Sequence, residues 1–418
     1  MSEKERPVLA ILVGGGPAPG INGVIAAATI KAITRGCRVL GIREGFLHLA
    51  QGDPTQMEEL QIEDVSRIHL QGGSVLFTSR ENPTRNEEKM ENVVRALQEC
   101  QVDYLVTIGG DDTAFSAINV ARRTRGRVKV AHVPKTIDND LPLPGFAPTF
   151  GYETARHWGV SLVKNLMEDA KTTRRWFFVV SMGRQAGHLA QGICLAAGAT
   201  ISVIPEEFPG EPLTLARISR VLEGAIIKRR AMGRKDGVAV IAEGLLERLE
   251  PTEMKALQEA ARDQHGHIRL ADINLASTLK REVEKNLHEI GIYCRIVSNN
   301  IGYELRCAPP IPFDLEYTRN LGYGVVKFLL AGGSGAMVTL QGGKIVPVFF
   351  DDIIDPRTGR TRLRFVETDT EAYEVARKYM IRLEEADFED QDLMARMVAQ
   401  TNLEPAAFKA RFESASRC

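Results

Sequence analysis

Short apolar runs rich in β-branched residues alternate with amphipathic segments along the first third of the chain. The order strand, helix, strand, strand, helix, strand is indicated at 8–13, 21–34, 39–42, 104–108, 113–122 and 128–133. Strands that alternate with helices are typical of a parallel sheet with crossover helices. The pattern therefore predicts an α/β unit with a parallel sheet.

The same alternation returns further along the chain. A second series of strands and helices is indicated at 176–182, 186–197, 200–204, 215–228 and 237–242. The tail from 370 to 418 instead reads as helices rich in Glu, Arg and Ala, which we assign to packing or assembly. The predicted fold class is α/β, with two doubly wound, mostly parallel α/β domains and a helical C-terminal tail.

Linker signals are weak in this sequence. The Pro-rich segment 141–149 is the best candidate for a first crossover between domains, because proline stops helices and restricts the residue before it. A second candidate is 307–313. At 418 residues the chain is long enough for two or three domains.

Composition narrows the class of protein. The 53 Lys and Arg residues balance 54 Asp and Glu residues, so the chain lacks the basic excess of most nucleic-acid binders, and we expect no nucleic-acid partner. No apolar run approaches the roughly 20 residues that cross a bilayer, so we expect no membrane role. The six cysteines form no CxxC pair, which suits a reducing cytoplasm. Basic runs at 228–230 and 357–364 are interpreted as solvated faces or partners of helix dipoles.

Glycines mark the points where apolar runs end and helical patterns begin. The first run continues into Gly14-Gly15-Gly16-Pro17-Ala18-Pro19-Gly20, a turn whose backbone N–H groups, with the following helix dipole, favour an anion. The segment lacks the Lys-Ser/Thr of a P-loop, and Pro19 replaces the third glycine of the dinucleotide fingerprint. A tight turn that needs glycine for its backbone is the alternative.

A second glycine turn carries two carboxylates. The run at 104–108 ends in Gly109-Gly110-Asp111-Asp112-Thr113, where another helix begins. Either aspartate could simply cap that helix. At the carboxyl end of a buried strand they also suit Mg²⁺, which takes oxygen ligands and bridges phosphate oxygens, and we favour a metal role.

A third segment combines a cation, a hydroxyl and two acids. Pro134-Lys135-Thr136-Ile137-Asp138-Asn139-Asp140 follows the run at 128–133. An aspartate placed there can accept a proton from an attacking hydroxyl while a lysine neutralises a transferring phosphate. An Asx turn is the alternative. A turn, however, has no use for Lys135.

These three segments resemble motifs of the phosphofructokinases, and three more follow in the order of that family: Met182-Gly183-Arg184, Glu243 and Gly302-Tyr303-Glu304-Leu305-Arg306. Together the motifs run from about residue 8 to 330. The resemblance implies an active site in the cleft between two domains. It implies that 1–149 plus about 305–365 form the domain that binds the phosphoryl donor. About 150–304 plus 366–418 would form the fructose 6-phosphate domain with its C-terminal helices.

Two positions indicate the phosphoryl donor. ATP-dependent members typically read GGDG and PGTIDND, whereas this chain reads GGDD at 109–112 and PKTIDND at 134–140, which resembles the pyrophosphate-dependent branch. Glycine leaves room for the α-phosphate and ribose of a nucleotide, and Asp112 and Lys135 fill that room. The added carboxylate would also repel an α-phosphate, by about 4 kcal/mol for unit charges 4 Å apart at an effective dielectric of 20.

The resemblance also implies roles for single residues. Asp138 looks like the base that takes the proton from the C1 hydroxyl of the sugar, and Asp111 like the Mg²⁺ site, directly or through water. The further catalytic candidates are Lys135, Asp112, Thr136 and Asp140. The residues that resemble the family's donor contacts are Gly15, Gly16, Arg80, Gly110 and Lys135. Those that resemble its sugar-phosphate contacts are Thr136, Ile137, Asp138, Arg175, Met182, Gly183, Arg184, Glu243, Arg295, Tyr303 and Arg306.

Arg175 and Arg295 match positions from which family members reach the 6-phosphate of a neighbouring subunit. The resemblance therefore implies a homodimer or homotetramer with a shared active site. Two positions depart from the ATP-dependent pattern: Tyr303 stands where a His is common, and Pro17 where an Asp is common. Tyr303 can still donate through its hydroxyl. Pro17 offers neither a carboxylate nor an N–H to a metal or a donor.

The resemblance thus predicts a cytoplasmic, Mg²⁺-dependent enzyme that moves a phosphoryl group from pyrophosphate to fructose 6-phosphate, reversibly. One rival is an ATP-dependent phosphofructokinase that tolerates Asp112 and Lys135. Another is an NAD- or lipid-kinase-like protein, because those proteins also use a Gly-Gly-Asp loop. A third is a catalytically silent, phosphosugar-binding regulatory subunit, against which the intact Asp111 and Asp138 argue.

Overall fold

Parallel strands and crossover helices make up most of the chain, as the alternating pattern predicts. The computed structural model describes residues 6–145, 147–210, 212–260, 273–358 and 360–417. Its strands are β1 (Val8–Val13), β2 (Arg38–Ile42), β3 (Met57–Glu59), β4 (Val102–Gly109), β5 (Lys129–Thr136), β6 (Phe150–Gly151), β7 (Trp176–Ser181), β8 (Ile201–Val203), β9 (Gly237–Ala242), β10 (Ile296–Ile301), β11 (Ala336–Gln341) and β12 (Lys344–Phe349).

The helices connect and cover these strands. They are α1 (Ile21–Ile33), α2 (Leu47–Ala50), α3 (Ile62–Val65), α4 (Glu87–Glu99), α5 (Asp111–Thr124), α6 (Tyr152–Thr173), α7 (His188–Ala197), α8 (Leu215–Ala231), α9 (Pro251–Ala260), α10 (Leu275–Glu289), α11 (Tyr303–Arg306), α12 (Pro312–Leu330), α13 (Phe350–Ile353), α14 (Glu371–Lys378), α15 (Gln391–Val398) and α16 (Pro405–Phe412). The last three confirm that the C-terminal tail is helical.

The chain divides into two compact units, each built from two stretches of sequence. The first comprises the residues up to Ala155 together with Tyr303–Arg364, and the second comprises Arg156–Gly302 together with the residues from Phe365 onward. The sequence-based prediction places the first boundary between the domains at 149/150 and the next near 304/305. The first crossing in the structure lies inside α6, which continues as one helix on either side of it.

Neither segment that the sequence suggested as a linker joins the two units. Residues 141–149 and 307–313 both lie inside the first unit. The Pro-rich stretch is tied to that unit, because Thr149 donates its hydroxyl to the Thr136 carbonyl at 2.8 Å and Arg364 donates to the Ala147 carbonyl at 3.0 Å. Proline restricts the local backbone but does not determine what the segment contacts. Hydrogen bonds to distant residues determine that 141–149 packs in the first unit and does not link two domains.

The first unit is a doubly wound sheet. Its strand order is β12-β11-β5-β4-β1-β2-β3, with β6 beside β5. Every pair is parallel except β2 with β3 and β11 with β12 at the edges. β1 is apolar at every position because helices cover both faces of the sheet: Leu9, Ile11 and Val13 pack with residues of α1 and α12, whereas Val8, Ala10 and Leu12 pack with residues of α4 and α5.

The second unit contains a smaller parallel sheet. Its order is β10-β7-β9-β8, and all three pairs are parallel. The central strands β7 and β9 are buried at every residue. Because the strands run in one direction, the residues that follow β7, β9 and β10 come to one edge, and the residues that precede these strands come to the opposite edge.

Buried charges anchor the C-terminal tail to the second unit. The Arg382 guanidinium and the Tyr373 hydroxyl both donate to one oxygen of Glu207, and the side chains of Arg382 and Glu207 are only 2% and 1% exposed. Lys228 donates to Asp387 of the tail at 2.7 Å, so the start of the basic run 228–230 is not a solvated face. Burial, with the adjacent Glu207 carboxylate, raises the pKa of Tyr373.

Two findings bear on the predictions about membrane spans and cysteines. Across the described ranges, no helix is both long and apolar enough to cross a membrane. The five cysteines within those ranges are free thiols, and Cys418 lies outside the described residues.

Replacement of Arg382 by alanine should lower the free energy of unfolding by about 3 kcal/mol, because it removes the guanidinium that donates to the buried Glu207 carboxylate and leaves only Arg377, 3.9 Å from the same oxygen. Urea denaturation followed by circular dichroism measures the change. The control is Lys378→Ala in the same tail, whose ion pair with Glu384 is exposed and is worth about 0–1 kcal/mol. Equal losses in the two variants would contradict an anchoring role for Arg382.

Candidate active site

Three polar segments lie at the carboxyl ends of the adjacent strands β1, β4 and β5 of the first unit. The strands are parallel, so the segments 14–20, 109–112 and 134–140, which include the last residues of β4 and β5 and the first of α5, come to the same edge of the sheet. The first loop is joined directly to the end of β4, because the Gly14 N–H donates to the Ile108 carbonyl at 2.9 Å. The structure thus brings together the three segments that the sequence singled out.

Glycine is required at two points of this edge by close packing around Thr113. A Cβ added at Gly14 would lie 2.4 Å from Thr113 Oγ1, and one added at Gly109 would lie 2.3 Å from Thr113 Cβ. Both distances are far below van der Waals contact. Part of the glycine signal in the sequence therefore reports packing of the two loops against the start of α5.

Lys135 reaches from the end of β5 into the first glycine loop. The residue is 3% exposed, and its ammonium donates to the Gly16 carbonyl. A Cβ on Gly15 would be 3.4 Å from Lys135 Nζ. A buried positive charge therefore lies among the backbone groups of the loop that the sequence predicted as a phosphate contact.

Arg306 approaches the same loop from α11. A Cβ on Gly16 would be 3.0 Å from Nη2 of Arg306, and the guanidinium carbon lies 5.1 Å from the centroid of the Tyr303 ring. The Tyr303 side chain is largely exposed. Two cations, Lys135 and Arg306, thus lie at Gly16, although the sequence assigned Arg306 to the sugar phosphate and Gly16 to the donor.

Arg80 is brought near the first glycine loop by its neighbours in the chain. Gly15 donates its N–H to the Ser79 carbonyl at 2.8 Å, and Thr78 donates its hydroxyl to the Gly15 carbonyl. Arg80 itself is exposed. The segment that precedes α4 therefore brings the backbone next to Arg80 against the predicted donor loop.

Asp138 lies in a buried turn at the end of β5. Its N–H donates to the Thr136 hydroxyl at 3.0 Å, and Thr136, Ile137, Asp138 and Asp140 are all at most 9% exposed. Asn139 has a positive φ of 59°, and its side-chain oxygen accepts the Thr149 N–H at 3.0 Å. Side-chain hydrogen bonds therefore stabilise this turn, and Thr136 and Asn139 accept them.

Arg364 holds this turn in place. Its Nε donates to the Asn139 carbonyl at 3.1 Å, and its backbone N–H donates to the Asp140 carbonyl at 2.7 Å. The sequence places Arg364 in the basic run 357–364, which is interpreted as a solvated face or a partner of a helix dipole, and both interpretations are wrong for this residue. No local signal in the sequence could have found the contact, because the partners are more than 200 residues apart.

Asp111 and Asp112 form the first turn of α5, with Gly110 at the N-cap. Asp111 is half-buried and Asp112 is exposed. The described residues contain no group of three or more His, Cys, Asp or Glu side chains arranged to hold a metal. A single carboxylate at the carboxyl end of β4 fits Mg²⁺, which typically binds one or two protein carboxylates and completes its shell with phosphate oxygens and water.

In the second unit, Glu243 organises the turn after β7. Its Oε1 accepts the N–H groups of Gly183 and Arg184 at 3.0 and 2.8 Å, and Arg184 has a positive φ of 50°. Met182 packs against Gly302, which directly follows β10, because a Cβ on Gly302 would lie 2.3 Å from Met182 Cγ. The predicted residues 182–184 and Glu243 therefore form one cluster at the carboxyl edge of the small sheet.

Arg175 and Arg295 lie at the opposite edge of that sheet. Each directly precedes a strand, β7 or β10, and the Trp176 N–H donates to the Arg295 carbonyl at 3.0 Å. Strands of six residues are about 20 Å long. Within this unit, the structure therefore separates these two arginines from the 182–184 cluster.

Comparison with known proteins shows which family the chain belongs to. A sequence profile described as phosphofructokinase matches residues 8–329. The chain belongs to the phosphofructokinase family. The profile spans all six motifs.

Two relatives match this phosphofructokinase over nearly its whole length. Both are named pyrophosphate--fructose 6-phosphate 1-phosphotransferase. The protein of Thermotoga maritima is 55% identical over 409 residues, with 97% of each chain covered. The protein of Naegleria fowleri is 50% identical over 422 residues, which cover 99% of this chain and 97% of the relative.

Solved structures agree on the fold. A pyrophosphate-dependent phosphofructokinase from Marinobacter aquaeolei aligns with a TM-score of 0.64 over 94% of this chain and 91% of its own. The two sequences are 16% identical, so this likeness concerns the fold alone.

Glu206 is a further residue near the 182–184 turn that the sequence did not reveal. In this phosphofructokinase its Oε1 accepts the N–H of Gly187, the N-cap of α7, at 2.8 Å and the N–H of Val366 at 3.1 Å. Its Oε2 is buried without a hydrogen-bond partner among the described residues. Burial is the main reason that the pKa of Glu206 is raised above its usual value of 4.5.

A raised pKa means that Glu206 favours the folded state when protonated, and that this contribution is lost as the pH rises through the folded pKa. The variant Glu206→Gln keeps a neutral acceptor for both N–H groups. Its melting temperature relative to the parent should therefore rise between pH 4.5 and pH 8. Differential scanning calorimetry measures the trend, with the exposed Glu389→Gln as control. A pH-independent difference would show that Glu206 ionises normally.

Proposed function

We propose that this phosphofructokinase transfers a phosphoryl group from pyrophosphate to the C1 hydroxyl of fructose 6-phosphate in the cytoplasm. The products are fructose 1,6-bisphosphate and orthophosphate, and the reaction is readily reversible because no nucleotide supplies extra driving force. It can therefore serve glycolysis or gluconeogenesis. The names of the two near-full-length relatives support this substrate pair.

The observation that carries the choice of donor is the position of Lys135. Its buried ammonium lies at the carbonyl of Gly16 and beside Gly15, in the loop that would receive the donor. A glycine at position 135 would leave this volume free for the larger nucleotide. A lysine fills the volume and offers a compact charge to a small, highly charged donor.

The proposed donor site combines these cations with carboxylates at the same sheet edge. Lys135, Arg306 and Arg80 would neutralise the phosphates, and the N–H groups of Gly16 and Gly110 would orient them. Gly15 would contribute through its place in the loop, because its N–H already donates to the Ser79 carbonyl. Asp111 would hold Mg²⁺ directly or through water. Bound there, Mg²⁺ would offset the negative charge of the transferred group.

Asp138 would act as the general base. The Thr136 hydroxyl and the Arg364 contacts hold its turn, so the carboxylate has a defined position at the end of β5. It would accept the C1 hydroxyl proton as that oxygen attacks the phosphorus, while orthophosphate leaves. The exposed Asp112 would add negative charge that disfavours a nucleotide in place of pyrophosphate.

The sugar phosphate would be bound by the cluster around Arg184 and by the α11 residues. Glu243 fixes the backbone of Gly183 and Arg184 through two hydrogen bonds, which positions the guanidinium for a phosphate or a hydroxyl. Tyr303 would donate through its exposed hydroxyl. Arg175 and Arg295, at the other edge of the small sheet, would reach the 6-phosphate of a neighbouring subunit in a homodimer or homotetramer.

The first test of the donor is the initial rate with fructose 6-phosphate and Mg²⁺, with pyrophosphate and ATP at matched concentrations. We expect a large preference for pyrophosphate. The double variant Asp112→Gly, Lys135→Gly should shift this preference toward ATP, because it restores room for the nucleotide. ATP preference in the parent would keep the family and overturn the donor, and no turnover with either donor would favour a silent phosphosugar-binding subunit.

The variant Asp138→Asn should keep the fold and sugar binding but lower kcat by about 10²–10⁴, the usual contribution of a positioned base. Asp351→Asn, which changes an exposed carboxylate of the same unit, is the matched control. Steady-state kinetics measure both. An unchanged kcat would remove Asp138 from the mechanism.

The same variant tests the shared site. Asp138→Asn and Arg295→Ala chains, each weakly active alone, should regain roughly a quarter of the parent activity when unfolded together and reassembled, because mixed dimers contain one intact site. If Arg295 serves its own chain, mixing restores nothing.

A further inference from the structure

A fully buried histidine lies beneath the donor-side loops. His132 is in the middle of β5 and is 0% exposed. Its Nε2 lies 3.0 Å from the carbonyl oxygen of Gly109, and its Nδ1 lies 2.8 Å from the Thr107 hydroxyl oxygen. Both partners belong to β4, which pairs with β5 in parallel. The ring thus contacts the strand end that leads into Gly110 and Asp111.

The chemistry of the two partners determines which ring nitrogen carries hydrogen. A carbonyl oxygen can only accept, so Nε2 must donate to Gly109. In a neutral ring Nδ1 then has a lone pair, which accepts the Thr107 hydroxyl proton. Burial, with a smaller contribution from the nearby Lys135 ammonium, lowers the pKa of His132 to about 3, so the ring stays neutral through the physiological range.

The hydrogen bond from His132 reaches the peptide at the point where β4 ends and α5 begins. Gly109 is the last residue of β4 and pairs with Pro134, and the Gly110 carbonyl accepts the Ala114 N–H at 2.9 Å. Both residues are glycine, whose backbone is unusually free, so the side-chain contact from His132 adds to these backbone bonds. The peptide between them is planar and trans, so its N–H is antiparallel to its C=O. With the Gly109 oxygen held by the buried ring, the Gly110 N–H is directed away from His132, at the N-cap of α5.

We propose that His132, as its neutral Nε2–H tautomer, is a positioning residue that orients the Gly109–Gly110 peptide so that the Gly110 N–H faces the phosphoryl donor. The inference rests on the proposed function where it names the donor as the ligand of Gly110. It adds a residue that touches no substrate and acts through one backbone carbonyl. The hydroxyl of Thr107, which can donate or accept, donates to Nδ1 of this tautomer and so supports the ring from its other side.

The kinetic test compares His132→Ala with His132→Gln. The amide of glutamine offers a donor and an acceptor about as far apart as the two ring nitrogens, so it can serve Gly109 and Thr107 together. His132→Ala should raise the KM for pyrophosphate about five- to ten-fold, the usual effect of one hydrogen bond. The KM for fructose 6-phosphate should stay within about two-fold, and His132→Gln should recover most of the loss. Parallel increases in both KM values, or no change in either, would overturn the proposal.

A measurement without turnover separates this inference from the proposed function. In protein labelled with ¹⁵N at histidine, the resonances absent from His132→Gln belong to His132. Their shifts should report the neutral Nε2–H tautomer from pH 5 to pH 8. An Nδ1–H tautomer or a charged ring would overturn the proposal even if pyrophosphate is the donor. If the Nε2–H tautomer is found but the enzyme turns over with neither donor, the positioning role of His132 stands and only the proposed function is overturned.

Thr107→Val provides a second variant if His132→Ala does not fold. It has nearly the same volume and removes only the hydroxyl that donates to Nδ1. The Gly109 carbonyl still requires a donor, so the ring should keep the Nε2–H tautomer in the ¹⁵N spectrum, and we expect a smaller rise in the KM for pyrophosphate, about two- to five-fold. An Nδ1–H tautomer in this variant, or an unchanged KM, would overturn the role assigned to the pair.

Discussion

The parallel alignment of β1, β4 and β5 is the constraint on which the candidate site depends. Parallel strands that are covered by helices on both faces must be apolar almost throughout, as the alternating packing of β1 shows. Polar chemistry is then confined to the strand ends. Because all three ends point to one edge, a glycine loop, a pair of aspartates and the Lys135–Asp140 segment become neighbours although they are far apart in the sequence.

Buried polar contacts give that edge its rigidity. Glycine-rich loops have little side chain with which to hold themselves, so distant residues hold them instead. Lys135 donates to Gly16, His132 to Gly109, and Arg364 to Asn139. Each contact fixes a backbone carbonyl, and the N–H groups next to it are then oriented without further side chains. Preorganised N–H groups and cations are the elements that phosphoryl transfer requires.

The smaller sheet separates two sets of sugar-phosphate candidates by the same rule. Met182, Gly183, Arg184 and Glu243 follow strands, whereas Arg175 and Arg295 precede them, so one sheet cannot bring the two sets together. The site shared between subunits that we propose would account for arginines at both edges. The C-terminal tail supports this sheet through Glu207 and Arg382, and it reaches the turn after Arg184 through the Glu206 contact with Val366.

The sequence by itself determined the α/β class, the positions of most strands and the three loops that carry chemistry. Hydrophobic periodicity and glycine placement are local signals, so a single chain displays them. Features that depend on distant contacts could not be predicted from the sequence. Examples are the packing of the Pro-rich segment 141–149 inside the first unit and the hydrogen bond from Arg364 to Asn139. The tautomer of His132 and the opposite placement of Arg175 and Arg184 also follow only from strand pairing. Tertiary structure decides such features because hydrogen-bond partners and sheet edges are set by which strands lie side by side.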